Sequence, residues 1–241
     1  MTIGRGAAVT DPSEKPSRAV PGPGGPGVPG SGGPGVSGSG GLVGGASAAL
    51  DRRIGPGGEL ADRAEQIANA AHAMAVRFHQ GGKLVVFGTG GASTDAQHIA
   101  VEFVHPVIVG KRALPAISLT CDAATVTGVA ACEGLASIFS HQIRYLAEPA
   151  DIALGIAPDP ACPSVLAGLR AAREAGLLTI ALAGGTGGAI AADGCADHLL
   201  TVGSVDPRII KEIHVTTYHV LWELVHVFFE QPGALGPGVV S

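Results

Sequence analysis

Two side chains four residues apart, His98 and Glu102, are the first candidates for chemistry in this sequence. If the stretch around them is helical, both project from one face, one turn apart. An imidazole and a carboxylate so placed can share a metal ion or divide acid and base roles. The residues just before them run Val85-Val86-Phe87-Gly88-Thr89-Gly90-Gly91-Ala92-Ser93, a short apolar run followed by a glycine turn. A strand, turn and helix in that order leave backbone N–H groups free at a helix N-terminus, where the dipole favours an anion. The reading is a polar or metal-binding pair one turn beyond an anion cradle, the layout of a site for a small phosphorylated ligand.

Such a pair needs a scaffold, and the rest of the chain supplies one. Leu60, Ala64, Ile67, Ala71, Met74 and Phe78 recur at three- and four-residue steps, which predicts an amphipathic helix over Glu59 to His79. Short apolar runs predict strands at Lys83–Phe87, Pro115–Leu119, Asp151–Ile156, Leu177–Leu182 and Asp197–Val202. Between them lie predicted helices at Ala92–Val104, Asp122–Ala131, Ser137–Leu146, Pro163–Glu174 and Gly187–Ala192, and a long one at Asp206–Glu230. Pro163 and Pro207 suit first turns, and Gly176 and Pro232 suit stops. Strands that read as continuous apolar runs and alternate with helices predict an α/β fold. The architecture is a doubly wound three-layer sandwich around a five-stranded parallel sheet. Ligands in such folds sit beyond the carboxyl ends of the strands. The loops that matter are then Gly88–Thr94, Thr120–Asp122, Ala157–Cys162 and Ala183–Gly188.

Composition sets the limits. Pro21 to Gly45 is almost entirely Gly, Pro and Ser, too poor in apolar surface to offset its ordering entropy. Residues 1–49 are therefore expected to be a disordered tail, 50–233 the folded domain and 234–241 a flexible C-terminus. The net charge of −5 and the absence of a Lys/Arg run argue against a nucleic-acid partner. No run approaches the ~20 apolar residues of a membrane span, and the basic N-terminus lacks the apolar stretch of a secretory leader. Cys121, Cys132, Cys162 and Cys195 show no C-x-x-C spacing. Together these features predict a cytoplasmic protein with reduced thiols.

From about Leu60 to Glu230 the chain resembles the sugar isomerase (SIS) domain, specifically the phosphoheptose isomerases. Four stretches carry the resemblance. The first is Gly88-Thr89-Gly90-Gly91 with Asp95-Ala96-Gln97-His98 and Glu102. The second is Pro115-Ala116-Ile117-Ser118 with Asp122. The third is Leu154-Gly155-Ile156 with Ala171-Ala172-Arg173-Glu174-Ala175-Gly176. The last is Lys211-Glu212-Ile213-His214 with His219. The resemblance implies interconversion of sedoheptulose 7-phosphate and a glycero-manno-heptose 7-phosphate. It implies Glu102 and His219 as the groups that pass a proton between C1 and C2. It also implies a zinc ion on His98, Glu102 and His219, with Gly90, Gly91, Ser93, Asp122 and Lys211 around the substrate. A site between subunits is a further implication, hence a homo-tetramer.

Two positions depart from the family pattern. Lys211 stands where the family has a Gln, and a protonated ammonium cannot ligate a metal. It can replace the metal as a fixed positive charge near an enediolate oxygen, or it can pair with Glu102 and silence it. The Ser/Thr-rich phosphate loop of the family is replaced by Ala157-Pro158-Asp159-Pro160-Ala161-Cys162-Pro163-Ser164, in which three prolines remove three N–H donors and Asp159 adds a carboxylate. Alternatives to a working isomerase are thus a non-catalytic SIS module that binds a protein or ligand, a degenerate subunit completing the sites of an intact paralogue, and a site for a neutral or nucleotide-linked sugar.

Plainer assignments stand beside these. His98 and Glu102 also fit an ordinary pair on a helix face. His219, Glu223 and His226 share a helix face, with the latter two expected at a subunit contact or in solvent. His214 is expected to be structural, Asp159 to cap the helix that follows, and Ala183–Gly188 to be a turn without a ligand.

Overall fold

The structure, a computed structural model, describes residues 39–159, 161–231 and 233–236. The elements run α1 (Ser39–Asp62), α2 (Ala64–His79), β1 (Leu84–Gly88), α3 (Gly91–Val104), β2 (Ala116–Ser118) and α4 (Ala123–Glu133). A single 3-10 turn (Leu135–Ser137) then leads into α5 (Ile138–Leu146), β3 (Ile152–Ala157), α6 (Pro163–Glu174), β4 (Leu178–Gly184), α7 (Gly188–Asp193), β5 (His198–Val202) and α8 (Pro207–Glu230). The five strands form one sheet in the order β2-β1-β3-β4-β5, every pair parallel. The doubly wound parallel sandwich expected from the apolar runs is what forms.

Strand alternation builds the two cores. In β1, Leu84 and Val86 join a cluster with α2, α3 and α8, while Val85 and Phe87 join one with α4, α5 and α6. Because each strand is covered on both faces, β1, β3 and β4 are buried throughout. The order reverses at β1: the chain moves one way to β2 and the other way to β3. That switch point opens a crevice above the carboxyl ends of β1 and β3. The loops that meet there are the glycine turn after β1 and the segment after β3.

The turn depends on glycine at two places. A Cβ on Gly88 would lie 2.8 Å from the Ala92 Cβ and 3.0 Å from the Ile156 carbonyl oxygen, so only Gly lets α3 start this close to β3. Gly90 has φ +57°, a conformation that other residues adopt only with strain. The chain can therefore reverse in three residues and aim the N-terminus of α3 into the crevice.

The structure corrects three boundaries. Residues 39–49, expected to belong to the tail, are helical in α1; residues 1–38 lie outside the described residues. The helix runs through Gly55, Pro56, Gly57 and Gly58, and its second half touches the rest of the domain. Arg53 donates from Nε to Glu212 of α8 at 2.5 Å, and Leu60 packs against the core. The single helix predicted from Glu59 is broken at Arg63, whose guanidinium donates to the Thr201 carbonyl at the end of β5. The C-terminal segment is partly fixed. His72 Nε2 donates to the Ala234 carbonyl at 3.1 Å and Leu235 packs on the core, while residues 237–241 lie outside the described residues.

Candidate active site

Helices α3 and α8 lie side by side and run in the same direction. Three rungs join them. Lys211 meets Asp95, His219 meets His98 and Glu102, and Trp222 Nε1 donates to the Glu102 carbonyl at 3.0 Å. Residues 95, 98 and 102 form one stripe on α3 because steps of three and four stay on one helix face. The aromatic rings of Tyr218 and Trp222 back that stripe with buried apolar surface.

The middle rung is the chemical centre. His98 Nε2 lies 3.1 Å from Glu102 Oε1, His219 Nε2 lies 3.3 Å from the same oxygen, and the two Nε2 atoms are 3.3 Å apart. Glu102 is buried while both imidazoles are about half exposed. The carboxylate is therefore held at the floor and the rings form the rim. Three donor atoms in a nearly equilateral triangle suit a tetrahedral cation. With metal–ligand bonds near 2.0–2.1 Å, a tetrahedron has edges of about 3.3 Å, and these three atoms would supply one face and leave the fourth corner open. An open corner is the mark of a catalytic rather than a structural metal site.

Lys211 does not pair with Glu102, one of the two roles considered for it. Its ammonium donates to both oxygens of Asp95 at 2.7 Å and to the Gly91 carbonyl at 3.1 Å. Among the described residues it makes no ion pair with Glu102, so it does not silence that carboxylate. Asp95 is buried, and sequence reasoning passed over it. The signal was available: Asp95 lies on the same i, i+3, i+7 stripe as His98 and Glu102.

The predicted substrate residues are placed unevenly. Gly90 and Ser93 line a cavity of about 320 Å³ together with Thr89, Thr120, Val126 and Phe139. The cavity lies beside the glycine turn, and the His98–Glu102–His219 triangle lies outside its lining. Gly91 contributes its carbonyl to Lys211 rather than lining the cavity. Asp122 is spent as the N-cap of α4: Oδ1 accepts from the N–H groups of Ala124 and Thr125 at 3.0 and 3.1 Å, and Oδ2 accepts from the Thr125 hydroxyl at 2.6 Å. That hydroxyl, more than the N–H groups, holds the Asp122 carboxyl below its ordinary range.

Two plainer expectations change and two stand. His226 was expected at a subunit contact or in solvent, but it is buried against Trp222, with its ring nitrogens facing the Trp222 and Arg112 carbonyls; Glu223 is exposed. Asp159 does not cap α6. Its Oδ1 accepts from the Ala161 N–H at 2.9 Å, closing a turn one residue earlier, and Cys162 takes the cap position without a side-chain bond. The loop after β3 instead lines a second cavity of about 230 Å³ that shares Thr89 and Leu135 with the first. His214 is structural as expected. It is almost fully buried, and burial pushes its imidazole down to about 4.

The same geometry sits in a fold with known relatives. The SIS domain pattern matches residues 59–184. The phosphoheptose isomerase of Solidesulfovibrio magneticus is 40% identical over 177 residues, covering 73% of this chain and 85% of the relative. That of Aquifex aeolicus is 39% identical over 162 residues, covering 67% and 84%. Among solved structures, the phosphoheptose isomerase from Francisella tularensis superposes with a TM-score of 0.72 at 30% identity, covering 77% of this chain and 98% of that one. The enzyme from Neisseria gonorrhoeae gives 0.70 at 29%, covering 76% and 98%. The glycine turn, the α3 stripe and the final helix are thus set in a fold that covers 98% of each of these two solved chains and 76–77% of this one. This chain belongs to the phosphoheptose isomerase family of SIS-domain proteins.

Proposed function

We propose that the chain catalyses aldose–ketose isomerisation of a seven-carbon sugar phosphate, the reaction for which its relatives are named. The observation that carries this reading is the triangle of His98, Glu102 and His219. Moving a proton between adjacent carbons needs one base that takes it from one carbon and returns it to the other. Glu102 suits that role, since it is buried, fixed between two imidazoles, and unpaired with Lys211. His219 is placed to exchange a proton with the sugar oxygen, since its ring reaches the rim while its Nε2 faces the carboxylate. The same three groups fit a zinc ion, which would supply positive charge to an enediolate oxygen.

The charge layout supports one orientation for the sugar. The cavity beside Gly90 and Ser93 lies at the N-terminal end of α3, where the helix dipole favours an anionic end of the sugar. The loop after β3 favours it less, because Pro158 and Pro163 lack N–H groups and Asp159 brings a carboxylate. The half-exposed imidazoles, with Val101 and Val104 exposed on the same helix, support a site covered by a second subunit. We take a second copy of this chain as that subunit. A native mass measurement that finds only monomer would remove this part of the reading.

The reaction is tested by NMR in D2O with sedoheptulose 7-phosphate and zinc. Exchange of the C1 proton and the appearance of an aldose are expected from the parent protein, and neither from Glu102→Gln. A parent that leaves the sugar unexchanged, alone and with zinc, overturns the assignment.

A further inference from the structure

The three rungs between α3 and α8 place one permanent positive charge beside the candidate cation site. Lys211 is the only lysine in α8, and α3 carries neither Lys nor Arg. Its ammonium sits on the rung next to the His98–Glu102–His219 triangle. The Asp95 side chain is only 10% exposed, and among the described residues both of its oxygens accept from this one group. Asp95 and Glu102 lie seven residues apart on the same stripe, a rise of about 10.5 Å. After Asp95, Glu102 is therefore the next carboxylate on that face. An ammonium freed from Asp95 keeps its charge next to the site or turns toward Glu102, and either way opposes a divalent cation.

We propose that Asp95 is a positioning residue for the cation site: it anchors the Lys211 ammonium at the glycine turn and balances its charge, leaving Glu102 and the two imidazoles free to bind metal. This inference rests on the cation-assisted reading above. It explains how a lysine is tolerated at this position of α8. The Gly91 carbonyl contributes a second anchor, so the lysine is tied to the turn as well as to the helix. The site that results has three protein ligands and an open corner.

Titration of the full chain with cobalt(II), whose visible absorption reports tetrahedral binding, tests this. Asp95→Asn is expected to weaken cobalt binding at least about tenfold, the usual scale for losing an outer partner of a metal site. The double variant Asp95→Asn/Lys211→Met is expected to regain the parent affinity, because the unbalanced charge leaves with its partner. Equal binding by parent and Asp95→Asn overturns the proposal. So does a double variant as weak as the single one, which would make Asp95 merely a structural tie. Lys211→Met alone gives an arm that does not require Asp95→Asn to fold: cobalt binding is expected to hold or tighten, and a loss overturns the proposal. A parent chain that takes up no cobalt, with all variants alike, overturns the metal reading itself and this inference with it.

Discussion

The two ends of the β1–β3 seam each carry a lysine paired with a buried aspartate, and the pairs are built differently. At the amino end, Asp151 is met by three donors. The Lys83 N–H reaches Oδ1 at 2.8 Å, while the Lys83 ammonium at 2.5 Å and the Glu148 N–H at 2.8 Å reach Oδ2. Two of the three are backbone groups, so the carboxylate ties the starts of β1 and β3 to the loop before β3. At the carboxyl end, Asp95 has its two bonds from the Lys211 ammonium, and that ammonium is shared with a carbonyl at the glycine turn. The first pair is woven into the backbone and holds the sheet. The second sits between side chains beside a cluster that is half open to solvent. The amino end is organised for stability and the carboxyl end for charge balance at a site.

Substitutions at the two ends should therefore have opposite effects. Glu102→Gln removes the base while keeping shape, and is expected to lower turnover by roughly 10²–10⁴ with little change in melting temperature. A variant that keeps parent turnover would show that the carboxyl end does not work through this carboxylate. Asp151→Ala is expected to do the reverse. It leaves a lysine and two N–H groups without their partner and should cost about 3–5 kcal/mol in urea unfolding, with activity per folded molecule retained. If activity falls more than stability, the two ends are not separable.

His214 adds a pH dependence to the carboxyl end. Burial there holds its folded-state value near 4, below the ordinary 6.5. Between those values the unfolded chain takes up a proton that the folded chain refuses. Stability from this residue is therefore full above pH 6.5 and is lost as pH falls toward 4. The expected loss is about 2 kcal/mol between pH 7 and 5, relative to His214→Leu measured in the same way by urea unfolding. Parallel pH profiles for parent and variant would contradict it. The smallest effect belongs to Arg53→Gln. The Arg53–Glu212 pair is exposed, and the melting temperature is expected to stay almost unmoved; a large drop would mean that α1 depends on this contact more than its exposure suggests.

Much of this scaffold was legible before folding. Helix α6 begins at Pro163 and α8 at Pro207, where a missing N–H is harmless, and β1, β3 and β4 announce themselves as unbroken apolar runs because parallel strands are covered on both faces. The His98–Glu102 pair followed from helical spacing alone. The helix over residues 39–49 did not. Its glycine-rich composition argues for a tail, and the α1 contact with α8 spans about 160 residues of sequence. Asp122 was read as a substrate residue from the resemblance, and only the positions of the Ala124 and Thr125 N–H groups show its oxygens engaged as a helix cap.

Periodicity is written in the chain itself: which residues are apolar at steps of two or of three and four, where helices can start and stop, and that Asp95, His98 and Glu102 share one helix face. Which carboxylate Lys211 would meet is not written there. Asp95 and Glu102 lie on the same face of α3, and spacing along one helix says nothing about its register against another. The packing of α8 beside α3, with Trp222 bonded to the Glu102 carbonyl, sets that register. About two helical turns back along α3 and about three along α8, it brings Lys211 opposite Asp95. The ion pair follows from tertiary contact because charge pairing depends on distance, and distance between two helices is fixed only when both are packed on the same sheet.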